Sequence, residues 1–181
     1  MQNRELLIGV SGGIAAYKTA ALVSQLVQAG AKVTVVTTAS AEKFVGAATF
    51  AALTGRPVVS SCFGDPNHPL GAHISLAQRA ELLCIAPATA NTLAKLAHGL
   101  ADDLLSTLYL SFTGPVLLAP AMNCEMWDKP AVQRNVQQLL ADGVQLIGPE
   151  EGWLSCRVKG LGRMSQPETI FDAIGKALPM R

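Results

Sequence analysis

Short apolar runs alternate with longer amphipathic segments along the chain. Runs rich in Val, Ile and Leu predict β-strands over 6–10, 33–37, 82–86, 116–119 and 144–147. Apolar residues at helical spacing predict helices over 14–29, 40–53, 89–98, 102–112, 129–141 and 170–177. Strands separated by helices form parallel sheets that are covered on both faces. We therefore predict one α/β domain over 1–181, with a parallel sheet and helices on both faces.

Two segments fall outside this alternation. Residues 60–72 contain Gly, Asp, Pro and Asn, and they predict a loop. Residues 149–165, between the last strand and the last helix, are rich in Gly and predict an irregular segment. A segment of this kind can form a mobile flap over a site, so we name residues 149–165 the flap.

The overall composition argues against nucleic acids and membranes as binding partners. Half of the residues are apolar, 15% are charged, and no block of Lys or Arg indicates a nucleic-acid partner. No apolar run approaches the roughly 20 residues of a membrane-spanning helix, and the N-terminal residues lack a signal-peptide pattern. We therefore expect a cytoplasmic protein without a membrane partner. Its four cysteines are expected to be reduced, and their spacing predicts no metal site.

The predicted strands end in small and polar residues. Ligands of parallel α/β sheets bind at the carboxyl ends of the strands, which here are residues 11–13, 37–38, 87–89 and 120–123. Gly12 and Gly13 lead directly into a helix, where unpaired backbone N–H groups can bind an anion such as a phosphate. The pattern matches neither a P-loop nor the GxGxxG of dinucleotide-binding turns. A tight turn without a ligand is the alternative.

Several side chains near these ends can perform chemistry. Thr89, Asn91 and Thr92 open a helix, where they can cap it or bind a ligand. The Asn123 amide follows the fourth strand and can donate to a carboxylate or an oxyanion. His73 is the best candidate for an acid or base, because it follows the predicted loop and imidazole exchanges protons near neutral pH. A histidine with a purely structural role is the alternative.

Cys156 is a candidate reactive thiol. It lies in the flap, beside Arg157 and near Lys159. Neighbouring cations increase the reactivity of a thiol. The alternative is an exposed thiol in a surface loop, without a function in catalysis.

Five motifs carry a family resemblance. They are GVSGGIAAYK, HISLA with His73, APATANTLAKLAHGLADDLL, PAMNCEMW, and Cys156 followed by GLGRM. In this order they resemble the homo-oligomeric flavin-containing cysteine decarboxylases, over essentially the whole chain. Within that family the resemblance is greatest to the branch that decarboxylates phosphopantothenoylcysteine in coenzyme A synthesis. It implies a Rossmann-like or flavodoxin-like domain that binds FMN between the subunits of a trimer or a multiple of trimers.

The resemblance also implies roles for individual residues. Those implied to contact FMN are Ser11, Gly12, Gly13, Ile14, Thr37, Thr38, Phe44, Pro87, Ala88, Thr89, Asn91, Thr92 and Ser106. Those implied in catalysis are His73, Asn123 and Cys156, and those implied in substrate binding are Asn123, Met126, Arg157 and Lys159. The implied chemistry has three stages. FMN oxidises the substrate thiol toward a thioaldehyde, and CO2 then leaves while the C=S group accepts the electron pair. The resulting ene-thiolate is protonated by Cys156 and reduced by the reduced flavin.

The flap departs from the family pattern. Family members usually read ACG before GxGRM, whereas this chain reads Ser155-Cys156-Arg157, and Lys159 adds charge. The conformation of the flap is therefore left open, although the thiol is present. Relatives are often fused to a ligase that makes the substrate, and we expect that activity either on a separate chain or on a further part of the same protein. A decarboxylase of peptide C-terminal cysteines and a flavin-binding regulatory protein remain as alternatives.

Overall fold

A five-stranded parallel sheet forms the centre of the computed structural model, which describes residues 1–63, 71–178 and 180. The strands are β1 (Glu5–Val10), β2 (Lys32–Thr37), β3 (Leu82–Ala88), β4 (Val116–Pro120) and β5 (Gln145–Leu146). Their order across the sheet is β2-β1-β3-β4-β5. Because β2 and β3 flank β1, the connections after β1 and β3 leave the sheet in opposite directions. The carboxyl ends of β1 and β3 therefore border a crevice.

Helices cover both faces of the sheet. They are α1 (Ala16–Gln28), α2 (Ala47–Thr54), α3 (Ala72–Arg79), α4 (Ala90–Ala97), α5 (Leu104–Ser111), α6 (Cys124–Trp127), α7 (Pro130–Ala141) and α8 (Pro167–Ala177). Helices α1, α2 and α8 pack on one face, and α3, α4, α5 and α7 pack on the other. Successive side chains of β1 point to opposite faces of the sheet, so Leu6 and Ile8 pack against the first set of helices and Leu7 packs against the second. Within the described residues, no helix is long and apolar enough to span a membrane.

Strand β3 is buried along its whole length. All seven of its residues are shielded from solvent by strands on both sides and helices on both faces. Burial of each Leu or Ile side chain contributes roughly 2 kcal/mol, so this run stabilises the centre of the sheet. Thr19 of α1 donates to the carbonyl of Ala86 at 2.7 Å and so fixes α1 against the end of β3.

The predicted parallel α/β architecture is confirmed, with differences in single elements. The predicted helix over 40–53 is wrong in its first half, where a 3-10 turn at Ala41–Lys43 is followed by an extended Gly46 (φ −69°, ψ 152°). The sequence did not predict α3, which follows directly on the predicted loop, or α6, whose four residues are too few to show a helical period. Most of the predicted loop over 60–72 lies outside the described residues, since 64–70 are not among them.

The flap is a β-hairpin, so the prediction of an irregular segment was wrong. Strands β6 (Glu150–Trp153) and β7 (Lys159–Arg163) pair in antiparallel fashion. Glycine is rare in strands, so the glycines of the flap gave no strand pattern from which the hairpin could be predicted. Strand β7 needs one of them, because a Cβ atom at Gly162 would overlap the carbonyl oxygen of Met122.

The tip of the flap, residues 154–158, is a tight turn. The N–H of Leu154 donates to the carbonyl of Val158 at 2.9 Å, and the N–H of Arg157 donates to the carbonyl of Leu154 at 2.9 Å. Arg157 has a φ of 64°, in the left-handed region that glycine occupies without steric cost. Arg157 therefore adopts a backbone conformation that suits the glycine usual at this place in the family.

Candidate active site

A cavity of about 680 Å³ opens at the carboxyl edge of the sheet. The turns that follow β1, β3 and β4 form three of its sides, and the flap forms the fourth. The lining residues are 12–15, 17–18, 89–91, 121–123, 126, 153–156, 162–164 and 166. The cavity therefore occupies the crevice where doubly wound sheets bind their ligands.

The turn after β1 presents backbone donors to the cavity. Gly12, Gly13 and Ile14 line it just before α1, and their N–H groups donate to no acceptor within the described parts of the chain. Free N–H groups at a helix N-terminus attract anionic or carbonyl oxygen atoms. A Cβ atom at Gly12 would overlap the Cβ of Ser40 and lie 2.8 Å from its carbonyl carbon. Only glycine allows this turn to approach the segment after β2 so closely.

Ser11 joins this turn to the turn after β3. Its Oγ donates to the carbonyl of Pro87 at 2.7 Å and accepts from the N–H of Thr89 at 3.1 Å. Thr89 also caps α4, because its Oγ1 accepts from the N–H of Thr92 at 3.4 Å. Ser11 and Thr92 are buried, whereas Thr89 and Asn91 line the cavity. The capping role of Thr89 is therefore real, and the same residue faces the cavity.

Asn123 meets the flap thiol inside the cavity. Its Oδ1 caps α6 by accepting from the N–H of Glu125 at 2.8 Å. Its Nδ2 then donates to the sulfur of Cys156 at 3.1 Å. Both side chains line the cavity, and Cys156 is exposed. An amide donor beside a thiol can bind an anionic group and place a proton donor next to it.

Lys18 is a buried cation in the cavity wall. It is 9% exposed, and its Nζ donates to the carbonyl of Met164 at 2.9 Å. Burial lowers the pKa of Lys18, and the positive charge of Arg163 lowers it further. Arg163 also lines the cavity, and its Nη2 pairs with Glu150 at 3.2 Å. Sequence reasoning did not single out Lys18, whose only signal was its place at the end of GVSGGIAAYK.

Two exposed aromatic residues line the cavity as well. Tyr17 is 60% exposed and Trp153 is 66% exposed. Ile14 and Met126 are exposed apolar residues in the same lining. Sequence reasoning missed both aromatic residues, because an aromatic side chain carries no local signal that distinguishes a cavity wall from a core. Together the four side chains offer apolar area to a flat ligand.

Most predicted site residues lie in the cavity wall or directly beside it. Gly12, Gly13, Ile14, Thr89, Asn91, Asn123, Met126 and Cys156 line the cavity. Ser11, Pro87, Ala88 and Thr92 are buried next to lining residues. The structure thus brings together the flap and three of the four strand ends that the sequence predicted to bind a ligand.

Three residues that were predicted to contact FMN instead form hydrogen bonds with other residues of the same chain. Thr37 is buried and donates to Glu42 at 3.2 Å. Thr38 accepts from the N–H of Ala41 at 3.3 Å. Ser106 is buried in a capping box with Asp103 at the start of α5. None of the three lines the cavity, so their predicted contacts with FMN stay predictions.

The remaining predicted residues are exposed and lie outside the lining. Phe44 is 49% exposed beyond the 3-10 turn. Arg157 and Lys159 are exposed on the flap, where Lys159 pairs with Glu151 at 3.6 Å. Their predicted roles in binding cofactor or substrate stay predictions.

His73 lies on α3, away from the cavity. Helix α3 packs against α5, on the far side of the sheet from α1. His73 is half-buried, and its Nδ1 is a buried atom without a hydrogen-bond partner in the described parts of the chain. Its predicted catalytic role therefore requires that a ligand or a second chain reach it.

Comparison with known proteins shows the family to which the chain is similar and a curated relative. The family model described as Flavoprotein matches residues 1–178. The coenzyme A biosynthesis bifunctional protein CoaBC of Bacillus subtilis (strain 168) is 50% identical over 176 residues, which cover 97% of this chain and 43% of that protein. The chain therefore spans less than half the length of this relative.

Two solved structures share the fold over nearly the whole chain. A mutant of PPC decarboxylase complexed with pantothenoylaminoethenethiol has a TM-score of 0.87 and 31% identity, and the match covers 97% of this chain and 98% of that one. The FMN-dependent cysteine decarboxylase SpaF has a TM-score of 0.81 and 38% identity, and the match covers 97% and 95% of the two chains. Matches of this length include the turns that line the cavity and the flap.

Proposed function

This chain belongs to the flavoprotein family, and we propose that it is an FMN-dependent decarboxylase that converts phosphopantothenoylcysteine to phosphopantetheine in coenzyme A biosynthesis. Family membership confirms the resemblance that the five motifs predicted. The observation that carries the proposal is the contact between Asn123 and Cys156 in the cavity. The relative named for coenzyme A biosynthesis supports the pathway, and the likeness to PPC decarboxylase supports the reaction.

The cavity fits FMN. The free N–H groups of Gly12, Gly13 and Ile14 can bind oxygen atoms of the flavin or its phosphate, and the hydroxyl of Thr89 lies in the same lining. The exposed apolar side chains of the lining, including Ile14 and Tyr17, suit a flat ring. When bound, FMN supplies the oxidation of the substrate thiol and the later return of two electrons.

Asn123 orients the substrate in this proposal. Its Oδ1 is fixed by the cap on α6, so its N–H groups are available to the substrate carboxylate and to the sulfur of Cys156. Bound FMN and substrate, with the flap above them, would exclude water from this part of the cavity. A hydrogen bond to a charged group is stronger in such shielded surroundings.

Cys156 is the proton donor in this proposal. After the bond to the carboxylate breaks and CO2 leaves, the S–H bond of Cys156 breaks and a C–H bond forms on the substrate. The electron pair of the S–H bond stays on the sulfur as a thiolate. The N–H of Asn123, 3.1 Å from that sulfur, stabilises the negative charge.

We also propose a homotrimer, or a multiple of trimers, with the flavin site between subunits. His73 and Phe44 lie outside the cavity of a single chain, and a neighbouring copy can bring them to it. Association would also bury exposed apolar side chains at the cavity, such as those of Ile14 and Trp153. A phosphopantothenate–cysteine ligase in the cytoplasm, on a separate chain or on a further part of the same protein, would supply the substrate.

Incubation of the FMN-reconstituted protein with phosphopantothenoylcysteine tests the function. Mass spectrometry should show a thiol product that has lost CO2. The Cys156→Ser variant should also release CO2, but it should stop at a product two hydrogens lighter. A peptide that ends in cysteine serves as a parallel substrate. Loss of CO2 from the peptide alone would assign the chain to the peptide-modifying enzymes. No reaction with either substrate, with FMN bound, would favour a flavin-binding regulatory protein.

A further inference from the structure

Among the residues that the structure describes, two hydrogen bonds attach the base of the flap to the body of the protein. The N–H of Met122, in the turn after β4, donates to the carbonyl of Gly162 at 2.9 Å. The Nζ of Lys18, in the first turn of α1, donates to the carbonyl of Met164 at 2.9 Å. The two donors thus come from opposite walls of the cavity, and the second bond joins residues 146 positions apart.

These two attachments, together with the buried side chain of Met164, hold the base of the hairpin. One hydrogen bond at Gly162 would act as a pivot, and a second at Met164, just beyond β7, prevents rotation about it. Strand β6 pairs with β7 from Glu150 to Trp153, so it moves with β7 as one unit. Cys156 lies at the tip of this unit and therefore reaches Asn123 only when the base is correctly held.

Packing alone does not explain a lysine at this position. Lys18 is buried, and it makes no ion pair with a carboxylate in the described parts of the chain. The carboxylates of Glu150 and Glu168 attract the charge of Lys18 without forming an ion pair with it, so they offset only part of the cost of its burial. The charge of Arg163, which with burial lowers the pKa of Lys18, adds repulsion. An apolar side chain of the same length would fill the space without these costs, but it could not hold the carbonyl of Met164.

We propose that Lys18 is a positioning residue for Cys156, because its hydrogen bond to Met164 fixes the base of the flap and so places the flap tip against Asn123. The structural part of this proposal concerns only the flap. Its consequence for catalysis rests on the function proposed above.

Hydrogen exchange in the FMN-bound protein tests the structural part. Lys18→Met keeps the length of the side chain and removes the donor. Backbone amides of residues 150–163 should then exchange faster by about tenfold, as the loss of one stabilising hydrogen bond implies. Thr19→Val is the matched control, because it removes a buried hydrogen bond from the same helix to Ala86 of β3, and it should leave the exchange of the flap unchanged.

Product analysis tests the catalytic part. With Lys18→Met, reduction of the flavin by phosphopantothenoylcysteine should persist, and the oxidised ene-thiol product should accumulate because Cys156 no longer reaches it. Lys18→Arg keeps a charged donor and should restore most of the normal product. If Lys18→Met does not fold, Lys18→Gln, which retains a shorter neutral donor, should show the same two effects to a smaller extent.

Three results would overturn the proposal. Unchanged flap exchange in Lys18→Met would show that the hydrogen bond does not hold the flap. A higher KM for flavin reduction, with normal flap exchange, would show that Lys18 contacts the substrate directly. Equal loss of stability in Lys18→Met and Thr19→Val, without a change in the product ratio, would show a role in folding only. If the wild type does not act on phosphopantothenoylcysteine, the proposed function fails, and hydrogen exchange still decides whether Lys18 holds the flap.

Discussion

The side-chain nitrogen of Asn123 lies 3.1 Å from the sulfur of Cys156, although 33 positions separate the two residues in the sequence. The helix cap decides which end of the amide meets the sulfur, because Oδ1 is held by the N–H of Glu125. The donor end of the amide therefore faces the thiol and the cavity. A substitution that keeps the cap and removes this donor separates the structural role of Asn123 from its chemical role.

Asn123→Asp is that substitution, since a carboxylate oxygen caps a helix as well as an amide oxygen does. It replaces the donor by a negative charge, which repels the carboxylate of a substrate bound beside it. We expect flavin reduction by the substrate to slow about 100-fold or more, with FMN still bound. Flavin absorbance measures both. Glu125→Gln, an exposed neighbour outside the lining, should react normally. A normal rate in Asn123→Asp would exclude the carboxylate-binding role.

Cys156→Ser should separate the two halves of the reaction. The variant should still bleach the flavin and release CO2, because the proposed proton transfer from Cys156 follows both steps. It should then stall and accumulate an ene-thiol that is two hydrogens lighter than the normal thiol product. Mass spectrometry of the products measures the ratio of the two species. Formation of the normal thiol at the wild-type rate would refute the proton-donor role.

The other cysteines provide the control for a nonspecific thiol effect. Cys62→Ser should turn over almost as the wild type does, because Cys62 lies outside the cavity lining. Cys84 cannot replace Cys156, since complete burial in β3 raises the pKa of its thiol to about 12. A thiol reagent at neutral pH should accordingly modify exposed Cys156 in the folded protein and modify Cys84 only after unfolding.

The parts of the fold that follow from local pattern were predictable from the sequence. The run 82–86 is apolar on every side, which is typical of a central parallel strand, and β3 indeed occupies the centre of the sheet. The residues after β1, β3 and β4 were predicted to meet, because parallel strands bring their carboxyl ends to one edge. Gly12, Thr89 and Asn123 do line one cavity.

The parts that depend on distant contacts were not predictable. The hydrogen bond from Lys18 to Met164 joins residues 146 positions apart, and neither residue carries a local signal of it. The hairpin of the flap was missed because Gly162 weakens a strand pattern, while the structure requires glycine there to approach Met122. His73 was singled out for its chemistry, yet no sequence pattern indicates that it lies outside the cavity of its own chain.

Gly12→Ala should disrupt the proposed FMN site, because the new methyl group would collide with the segment after β2. The added methyl group would overlap Ser40, and relief of such overlaps costs roughly 1–3 kcal/mol. The turn after β1 must then move, so its N–H groups lose their arrangement at the cavity. We expect a lower melting temperature and a lower FMN content after reconstitution. Gly46→Ala, with open space around the new Cβ and a φ of −69°, should change neither. Full FMN content in Gly12→Ala would contradict the role of this turn.

Glu5 and Arg56 form a two-pronged ion pair at the opposite edge of the sheet from the cavity. Nη1 of Arg56 lies 2.8 Å from Oε2 of Glu5, and Nη2 lies 3.1 Å from Oε1. The hydrogen bond from Arg56 lowers the pKa of the Glu5 carboxyl, and the positive charge of Arg56 adds to that effect against the opposing effect of burial. Folding therefore favours the ionised carboxylate, and stability should depend on pH through this pair.

Glu5→Gln tests that dependence. Because the pKa of Glu5 is lower in the folded state than in the unfolded state, the stabilisation is fully present above the unfolded pKa of about 4.3 and is lost as the pH falls through the folded value. We expect Glu5→Gln to reduce the free energy of unfolding by about 1 kcal/mol at pH 7. Urea denaturation over a series of pH values should show wild type and variant converging as the solution is acidified. A difference that stays constant from neutral to acidic pH would mean that the substitution removes packing or a neutral hydrogen bond, and that the charge of Glu5 contributes nothing.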